Sequence, residues 1–203
     1  TAEIGDIIID SIDKINASAV KKTPTIYLCD PVMGDIGRGF FVQAAIPQFF
    51  KQHVLKRATI ITPNHFEAEQ LYGASIESIN DAKRASDFFH EQGVKIVLIT
   101  SFMQHLSPKI AQIFLSFDDS YYVAHTPWLS FETAPNGTGD LFAALYLGHY
   151  LHHGDAPLAL KQAMAGIYKV LLKTHERGQR ELCVIEVNYC ASDPDDDASL
   201  QKV

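Results

Sequence analysis

Residues 94–100 read Val94-Lys95-Ile96-Val97-Leu98-Ile99-Thr100, a near-continuous apolar run that is rich in β-branched side chains. A strand of this composition has no polar face, which predicts that it is buried on both sides. It follows a segment, 81–92, whose pattern predicts a helix that ends at Gly93. A helix that leads into a fully buried strand is typical of a parallel sheet covered by helices.

The same alternation extends in both directions along the chain. Predicted strands cover 25–29, 58–62, 94–100, 111–117, 121–125 and 182–187. The strands 111–117 and 121–125 are predicted to form a hairpin, and a glycine-rich loop is expected after the strand 25–29. Predicted helices cover 2–16, 67–71, 81–92, 138–150 and 156–174, and a further helix with Pro47 in its first turn ends at 54. We therefore predict an α/β fold whose mainly parallel sheet carries helices on both faces, in a single domain over 1–203 with an acidic tail over about 191–203.

Composition narrows the classes of function. Of the 203 residues, 47% are hydrophobic and 20% charged, as in ordinary globular proteins. The net charge of −7 argues against nucleic-acid binding, which needs a basic face. No apolar run approaches the roughly 20 residues of a membrane helix, so no membrane partner is expected. The three cysteines are sparse and odd in number, which argues against a disulfide framework. A reducing cytoplasm is therefore the expected location.

One segment that opens a predicted helix has the composition of an anion site. In Asn136-Gly137-Thr138-Gly139-Asp140, the glycines allow a tight turn, and the helix that follows offers unpaired N–H groups. Asp140 stands at the edge of this turn, where a carboxylate could take a proton from an attacking hydroxyl. The alternative is that the segment is only a turn with an acidic residue at the start of a helix.

Acidic residues also follow two predicted strands. Asp30 comes after the strand 25–29, and Glu67 follows 58–62 in Thr62-Pro63-Asn64-His65-Phe66-Glu67. Paired carboxylates at the carboxyl edge of a sheet suit Mg²⁺, which binds one or two carboxylates together with water and substrate phosphates. The alternative is that each acid only caps a turn or a helix.

Three ordered motifs together resemble the pyridoxal kinases of the ribokinase-like superfamily. They are Asp30-Pro31-Val32-Met33-Gly34-Asp35 with the glycines that follow it, Ile61-Thr62-Pro63-Asn64-His65-Phe66-Glu67-Ala68-Glu69, and Gly137-Thr138-Gly139-Asp140-Leu141-Phe142. The resemblance covers most of the chain and implies a ribokinase-like fold. It also implies that roughly the first third of a family member is missing from this sequence, which would leave the fold N-terminally incomplete.

The activity that the resemblance implies is ATP-dependent phosphorylation of the 5′-hydroxyl of pyridoxal, pyridoxine or pyridoxamine. Asp140 would be the base at the substrate hydroxyl, and the N–H groups of Gly137, Thr138 and Gly139 would stabilise the transferring phosphoryl group. Asp30 and Glu67 would serve Mg²⁺ and the phosphates. The positions implied in nucleotide binding are Asp30, Thr62, Asn64, Glu67, Thr100 and Ser101.

The resemblance also implies a lid over residues 35–41, a homodimer for the complete protein, and a monovalent cation as a further cofactor. Two alternatives stay open. Hydroxymethylpyrimidine kinases of thiamine synthesis share Asp-Pro-Val-Met, but they usually carry Cys in place of Asp140 and lack the Gly34-Asp35 pair. The other alternative is a fragment that binds a nucleotide or vitamer without catalysing a reaction.

Overall fold

The computed structural model describes residues 2–18, 25–103, 109–187 and 198–203. The chain divides into two compact units. The first consists of Thr1–Thr100 with Ser116–Asp119, and the second of Ser101–Leu115 with Ser120–Val203. The single domain over 1–203 stays a prediction, and most of the predicted acidic tail lies outside the described residues.

Most of the predicted helices and strands are present, but consecutive strands and two pairs of consecutive helices interrupt the predicted alternation. The helices are α1 (Ala2–Ala17), α2 (Ala45–Phe49), α3 (His65–Tyr72), α4 (Ile79–Glu91), α5 (Thr138–His153) and α6 (Ala156–Glu176). The strands are β1 (Leu28–Cys29), β2 (Gly34–Asp35), β3 (Gly39–Phe40), β4 (Ile60–Ile61), β5 (Ile96–Ile99), β6 (Ile110–Phe117), β7 (Ser120–Pro127) and β8 (Ser199–Lys202).

The first unit is built on three parallel strands in the order β1-β4-β5. Ile60 pairs with Leu28 on one side and with Ile96 on the other. All four residues of β5 are buried, because apolar side chains on both of its faces are covered. This confirms the buried strand and the parallel pairing that residues 94–100 predict.

The second unit combines antiparallel strands with two long helices. The predicted hairpin is confirmed as β6 and β7, and β8 pairs antiparallel with β7, with Val123 opposite Gln201. Helices α5 and α6 pack against each other, and both Phe142 of α5 and Leu160 of α6 are buried. Asp155 caps α6 by accepting a hydrogen bond from the Leu158 N–H, and Gly154 ends α5 in a left-handed conformation.

The strand predicted over 182–187 is wrong. Val184–Glu186 forms a turn of 3₁₀ helix instead, and the Ile185 side chain is 95% exposed. The Cys183 N–H donates to the Thr174 hydroxyl of α6, so this backbone is satisfied without a strand partner. The strand of this region is β8, which the sequence did not predict because Ser-Leu-Gln-Lys carries a single apolar side chain.

Several boundaries in the first unit differ from the prediction. Strands β1 and β4 are shorter than 25–29 and 58–62, and α3 begins at His65 rather than Glu67. The glycine-containing segment expected to be a loop holds the two-stranded hairpin β2–β3, in which Gly34 pairs with Phe40. These differences lie where the predicted site residues are.

The first helix confirms its prediction but leaves much of its apolar side exposed. Ile9 and Ile12 of α1 are buried. The exposed isoleucines are Ile4, Ile7, Ile8 and Ile15. Within the described ranges, no helix combines the length and apolar character that crossing a bilayer requires.

Candidate active site

In the first unit, the predicted site residues gather around the start of α3. Asn64 takes an extended conformation as the N-cap, and its side chain accepts a hydrogen bond from the Glu67 N–H at 2.9 Å. The Glu67 carboxylate in turn accepts from the Asn64 N–H at 2.9 Å, which completes a capping box. An Asn followed three residues later by a Glu is therefore the local reason that α3 begins here.

Glu67 is a buried acid that is held by three backbone donors. Its side chain also accepts hydrogen bonds from the Met33 N–H at 2.7 Å and from the Gly34 N–H at 3.4 Å. The residue is only 3% exposed. The contact with Asn64 uses one carboxylate oxygen, Oε2, whereas both contacts with the 33–34 segment use Oε1.

Burial raises the pKa of Glu67 to about 7. The three backbone N–H groups act in the opposite direction, whereas the nearby Asp30 carboxylate raises the pKa further by like-charge repulsion. A cation beside Glu67 would counter this repulsion and favour the ionised carboxylate.

The β2–β3 hairpin is attached to the same turn of α3. The Asn64 side-chain amide donates to the Gly34 carbonyl oxygen at 2.8 Å. The Phe66 ring packs edge-on against Phe40, with 5.2 Å between the ring centroids. A Cβ atom on Gly34 would come within 2.5 Å of the Phe66 ring and within 2.6 Å of the Gly39 carbonyl oxygen, so only glycine fits here.

Two predicted threonines lie at the ends of neighbouring strands. The Thr62 hydroxyl is buried and has no hydrogen-bond partner in the part of the chain that the structure describes. The Thr100 N–H donates to the Pro63 carbonyl oxygen at 2.8 Å, and Thr100 forms a parallel bridge with Asn64. The sheet therefore brings Thr62, Asn64 and Thr100 to one edge, as the sequence predicts for the carboxyl ends of parallel strands.

In the second unit, the predicted anion site forms the first turn of α5. Gly137 is the N-cap in a left-handed conformation, with φ of 84°, and it has no side chain to accept the first N–H groups of the helix. The Asp140 carboxylate lies over this turn, with Oδ2 4.0 Å from the place that a Cβ atom on Gly137 would occupy. Asp140 and Gly139 are exposed, so both face solvent or a ligand.

The predicted site residues thus divide between the two units. Asp30, Thr62, Asn64, Glu67 and Thr100 belong to the first, while Ser101 and the 137–140 turn belong to the second.

Sequence reasoning missed three groups that contact the predicted residues: the backbone of Met33, the backbone of Gly34 and the Phe66 ring. The capping-box spacing of Asn64 and Glu67 was the available signal. Among the described residues, no group of three or more His, Cys, Asp or Glu side chains could hold a metal ion.

The chain matches known proteins over almost all of its length. The family model described as phosphomethylpyrimidine kinase matches residues 2–184. A relative named pyridoxal kinase PdxY from Leifsonia xyli is 32% identical over 201 residues, which covers 98% of this chain and 69% of the relative. The chain spans 69% of the length of this relative, and 64% and 55% of the lengths of the relatives named pyridoxal kinase PdxY from Granulibacter bethesdensis and Deinococcus radiodurans.

Solved structures of similar fold are also kinases. Pyridoxal kinase from Leishmania donovani in complex with ADP and pyridoxamine has a TM-score of 0.83 and 28% identity, over 97% of this chain and 69% of that chain. Plasmodium falciparum PdxK with AMP-PNP and PL has a TM-score of 0.85 and 26% identity, over 100% of this chain and 72% of that chain. The predicted α/β fold of ribokinase-like type is confirmed by this similarity.

Proposed function

The chain belongs to the phosphomethylpyrimidine kinase family and, within the ribokinase-like superfamily, to its pyridoxal kinases, and from this we propose that it phosphorylates the 5′-hydroxyl of pyridoxal, pyridoxine or pyridoxamine with ATP. The observation that carries the proposal is the first turn of α5. There, the left-handed Gly137 provides no side-chain cap for the first N–H groups of the helix, and the Asp140 carboxylate lies 4.0 Å from the place that a Cβ atom on Gly137 would occupy. Phosphoryl transfer needs this pairing of a base with donors for developing charge.

The proposed reaction uses the two parts of the 137–140 turn separately. Asp140 accepts the proton of the 5′-hydroxyl as its oxygen bonds to the γ-phosphorus of ATP. The bond between that phosphorus and the bridging oxygen breaks, and ADP leaves with the bonding electron pair. The N–H groups of Gly137, Thr138 and Gly139 and the positive end of the α5 dipole stabilise the charge on the transferring group.

For Mg²⁺, the proposed residues are Asp30 and Glu67. The donor set fits, because two acidic side chains lie close enough for Asp30 to hinder ionisation of Glu67. A cation that also binds water and phosphate oxygens needs no more than one or two protein carboxylates. When bound, Mg²⁺ would neutralise phosphate charge, while the protein's own groups orient the nucleotide.

Nucleotide contacts are proposed for the polar residues at the strand ends: Asp30, Thr62, Asn64, Glu67, Thr100 and Ser101. The buried Thr62 hydroxyl supports this assignment, because an unpaired buried hydroxyl is costly unless a ligand or a bound ion satisfies it. A monovalent cation is a further cofactor under this proposal.

Substitution of Asp140 by Asn tests the proposed base. The change keeps the shape but removes the proton acceptor, so we expect vitamer-dependent ADP release to fall by about 10²–10⁴-fold in the intact protein while ATP binding persists. The matched control is Asp155→Asn, the same change at the N-cap of α6, where Asn caps equally well and turnover should be retained. Unchanged turnover in Asp140→Asn would refute the proposed role.

A second candidate is phosphorylation of hydroxymethylpyrimidine, which is kept because the matching family model is described by a related pyrimidine, as phosphomethylpyrimidine kinase. Parallel assays of ADP release with pyridoxal and with hydroxymethylpyrimidine distinguish the two substrates. Binding of Mg-ATP without release of ADP in either assay would instead support a non-catalytic binding module.

A cytoplasmic location and a homodimer complete the proposal. The first is supported by the sparse cysteines, two of which, Cys29 and Cys183, are buried and unpaired. The second rests on the resemblance to the pyridoxal kinases. Light scattering of the intact protein measures its mass and so tests the dimer.

A further inference from the structure

The first turn of α3 holds the base of the β2–β3 hairpin through three different side chains. Glu67 accepts from the Met33 and Gly34 N–H groups, Asn64 donates to the Gly34 carbonyl, and Phe66 packs against Phe40. The N–H and the carbonyl oxygen of Gly34 are thereby bound to side chains of α3 and of its N-cap residue.

The hairpin has little else to define its position. Each strand has two residues, and a hairpin of this size is not stable by itself in water. Its tip and flank are exposed, including Ile36 and Phe41. Contacts at its base must therefore determine where it lies.

The hydrogen-bonding capacity of Glu67 is mostly used by these contacts. A carboxylate offers about four lone-pair directions. Oε1 accepts from two backbone N–H groups and Oε2 from one, so about one direction is left for any other ligand. The side chain therefore chiefly holds backbone, and it keeps about one oxygen direction for the proposed cation.

We propose that Asn64 and Glu67 are positioning residues that hold the β2–β3 hairpin at the carboxyl end of β1. The inference rests on the proposed function, since the hairpin corresponds to the expected lid over 35–41. A held hairpin lowers the entropic cost of ordering this segment when substrates bind, so its release should raise KM more than it lowers kcat.

Amide hydrogen exchange on the ligand-free protein tests the clamp directly. In Glu67→Gln, we expect exchange at the Met33 and Gly34 amides to accelerate at least about tenfold, because one neutral amide oxygen replaces the two charged oxygens that now hold three N–H groups. The matched control is Glu91→Gln, the same change at an exposed site on α4, which should leave these amides unchanged.

Asn64→Asp is the second variant, for the case in which Glu67→Gln does not fold. Asp caps α3 as well as Asn does but cannot donate to the Gly34 carbonyl. We expect faster exchange at the Phe41 amide, which bonds to the Met33 carbonyl, and a KM for substrates raised at least about threefold with kcat less affected.

Two results would overturn the proposal. One is unchanged exchange at Met33, Gly34 and Phe41 in whichever variants fold. The other is a raised Mg²⁺ requirement in Glu67→Gln with unchanged exchange, which would limit Glu67 to cation binding and leave it no positioning role. Because exchange is measured without nucleotide or vitamer, its outcome is independent of whether the proposed kinase activity is correct.

Discussion

Gly34 occupies a point where a side chain has no room. A Cβ atom there would meet both the Phe66 ring and the Gly39 backbone, and backbone cannot move aside as a flexible side chain can. The backbone of Gly34 is also bound on both sides. Its N–H donates to the Glu67 carboxylate, and its carbonyl oxygen accepts from the Asn64 side chain. At the residue scale, the site is thus decided by contacts between positions about 30 apart in sequence.

Gly34→Ala should destabilise the protein by about 1–3 kcal/mol, because the added methyl group forces the hairpin away from α3. Gly148 is the contrasting control, since it lies within α5 and a Cβ atom there meets nothing within 4 Å. Gly148→Ala should increase the unfolding free energy by roughly 0.5–1 kcal/mol. Urea denaturation of both variants gives the comparison, and equal effects would contradict the structure.

The Cys29 thiol should be unreactive in the folded protein. Burial raises its pKa to about 12, and the acids Asp30 and Glu67 also raise it. The thiolate fraction at pH 8 is then on the order of 10⁻⁴, so alkylation by iodoacetamide should be slow until urea unfolds the chain. Peptide mapping by mass spectrometry measures the rate at this residue, and rapid labelling without urea would refute the expectation.

The free energy of unfolding should depend on pH through Cys29, because the pKa of its thiol is higher in the folded than in the unfolded protein. Below about pH 9, the thiol is neutral in both the folded and the unfolded states, so its contribution to stability is fully present. As pH rises from about 9 toward 12, the unfolded chain releases the proton first, and this contribution is lost.

At the scale of elements, the turn between β6 and β7 shows how a local conformation can carry strain. Asp118 and Asp119 have positive φ values of 48° and 53°, as a two-residue hairpin turn of type I′ requires. Sequence predicted the hairpin from its apolar strands, but Asp-Asp is not the pair that this turn prefers. The strands on either side therefore impose the turn.

Replacing Asp118-Asp119 by Asn-Gly should stabilise the protein by roughly 0.5–1 kcal/mol, because relief of left-handed strain exceeds the added entropy of the unfolded chain. Asp119→Val removes a charge at the same place but puts a β-branched residue at positive φ, so it should destabilise. Thermal denaturation measures both. A gain in the valine variant would contradict the turn.

At the scale of the whole molecule, β8 shows that an element can form without a local signal. Its four residues pair with β7, and the Val203 N–H continues the pairing to the Tyr121 carbonyl. Lys202 also lies 5.7 Å from the centre of the Tyr122 ring. The strand exists because the edge of β7 offers it partners.

Deletion of residues 198–203 should lower the melting temperature by at least about 4 °C, because β7 becomes an unpaired edge and the buried Ala198 is lost. Gln201→Ala alters an exposed side chain of β8 while keeping its backbone, so it should change the melting temperature little. If the deletion melts like the unaltered chain, β8 does not contribute to stability.

The sequence by itself determined the fold class and most elements, because apolar periodicity and proline or glycine boundaries are local properties. It also pointed to Asp140 with its glycines and to Asn64 with Glu67 as candidate site residues, since caps and anion turns need particular residue types at fixed spacing. Only the tertiary structure decided what Glu67 contacts, and that residues 199–202 form a strand while 182–187 do not. Those outcomes depend on backbone groups brought together from distant positions, which no local pattern encodes.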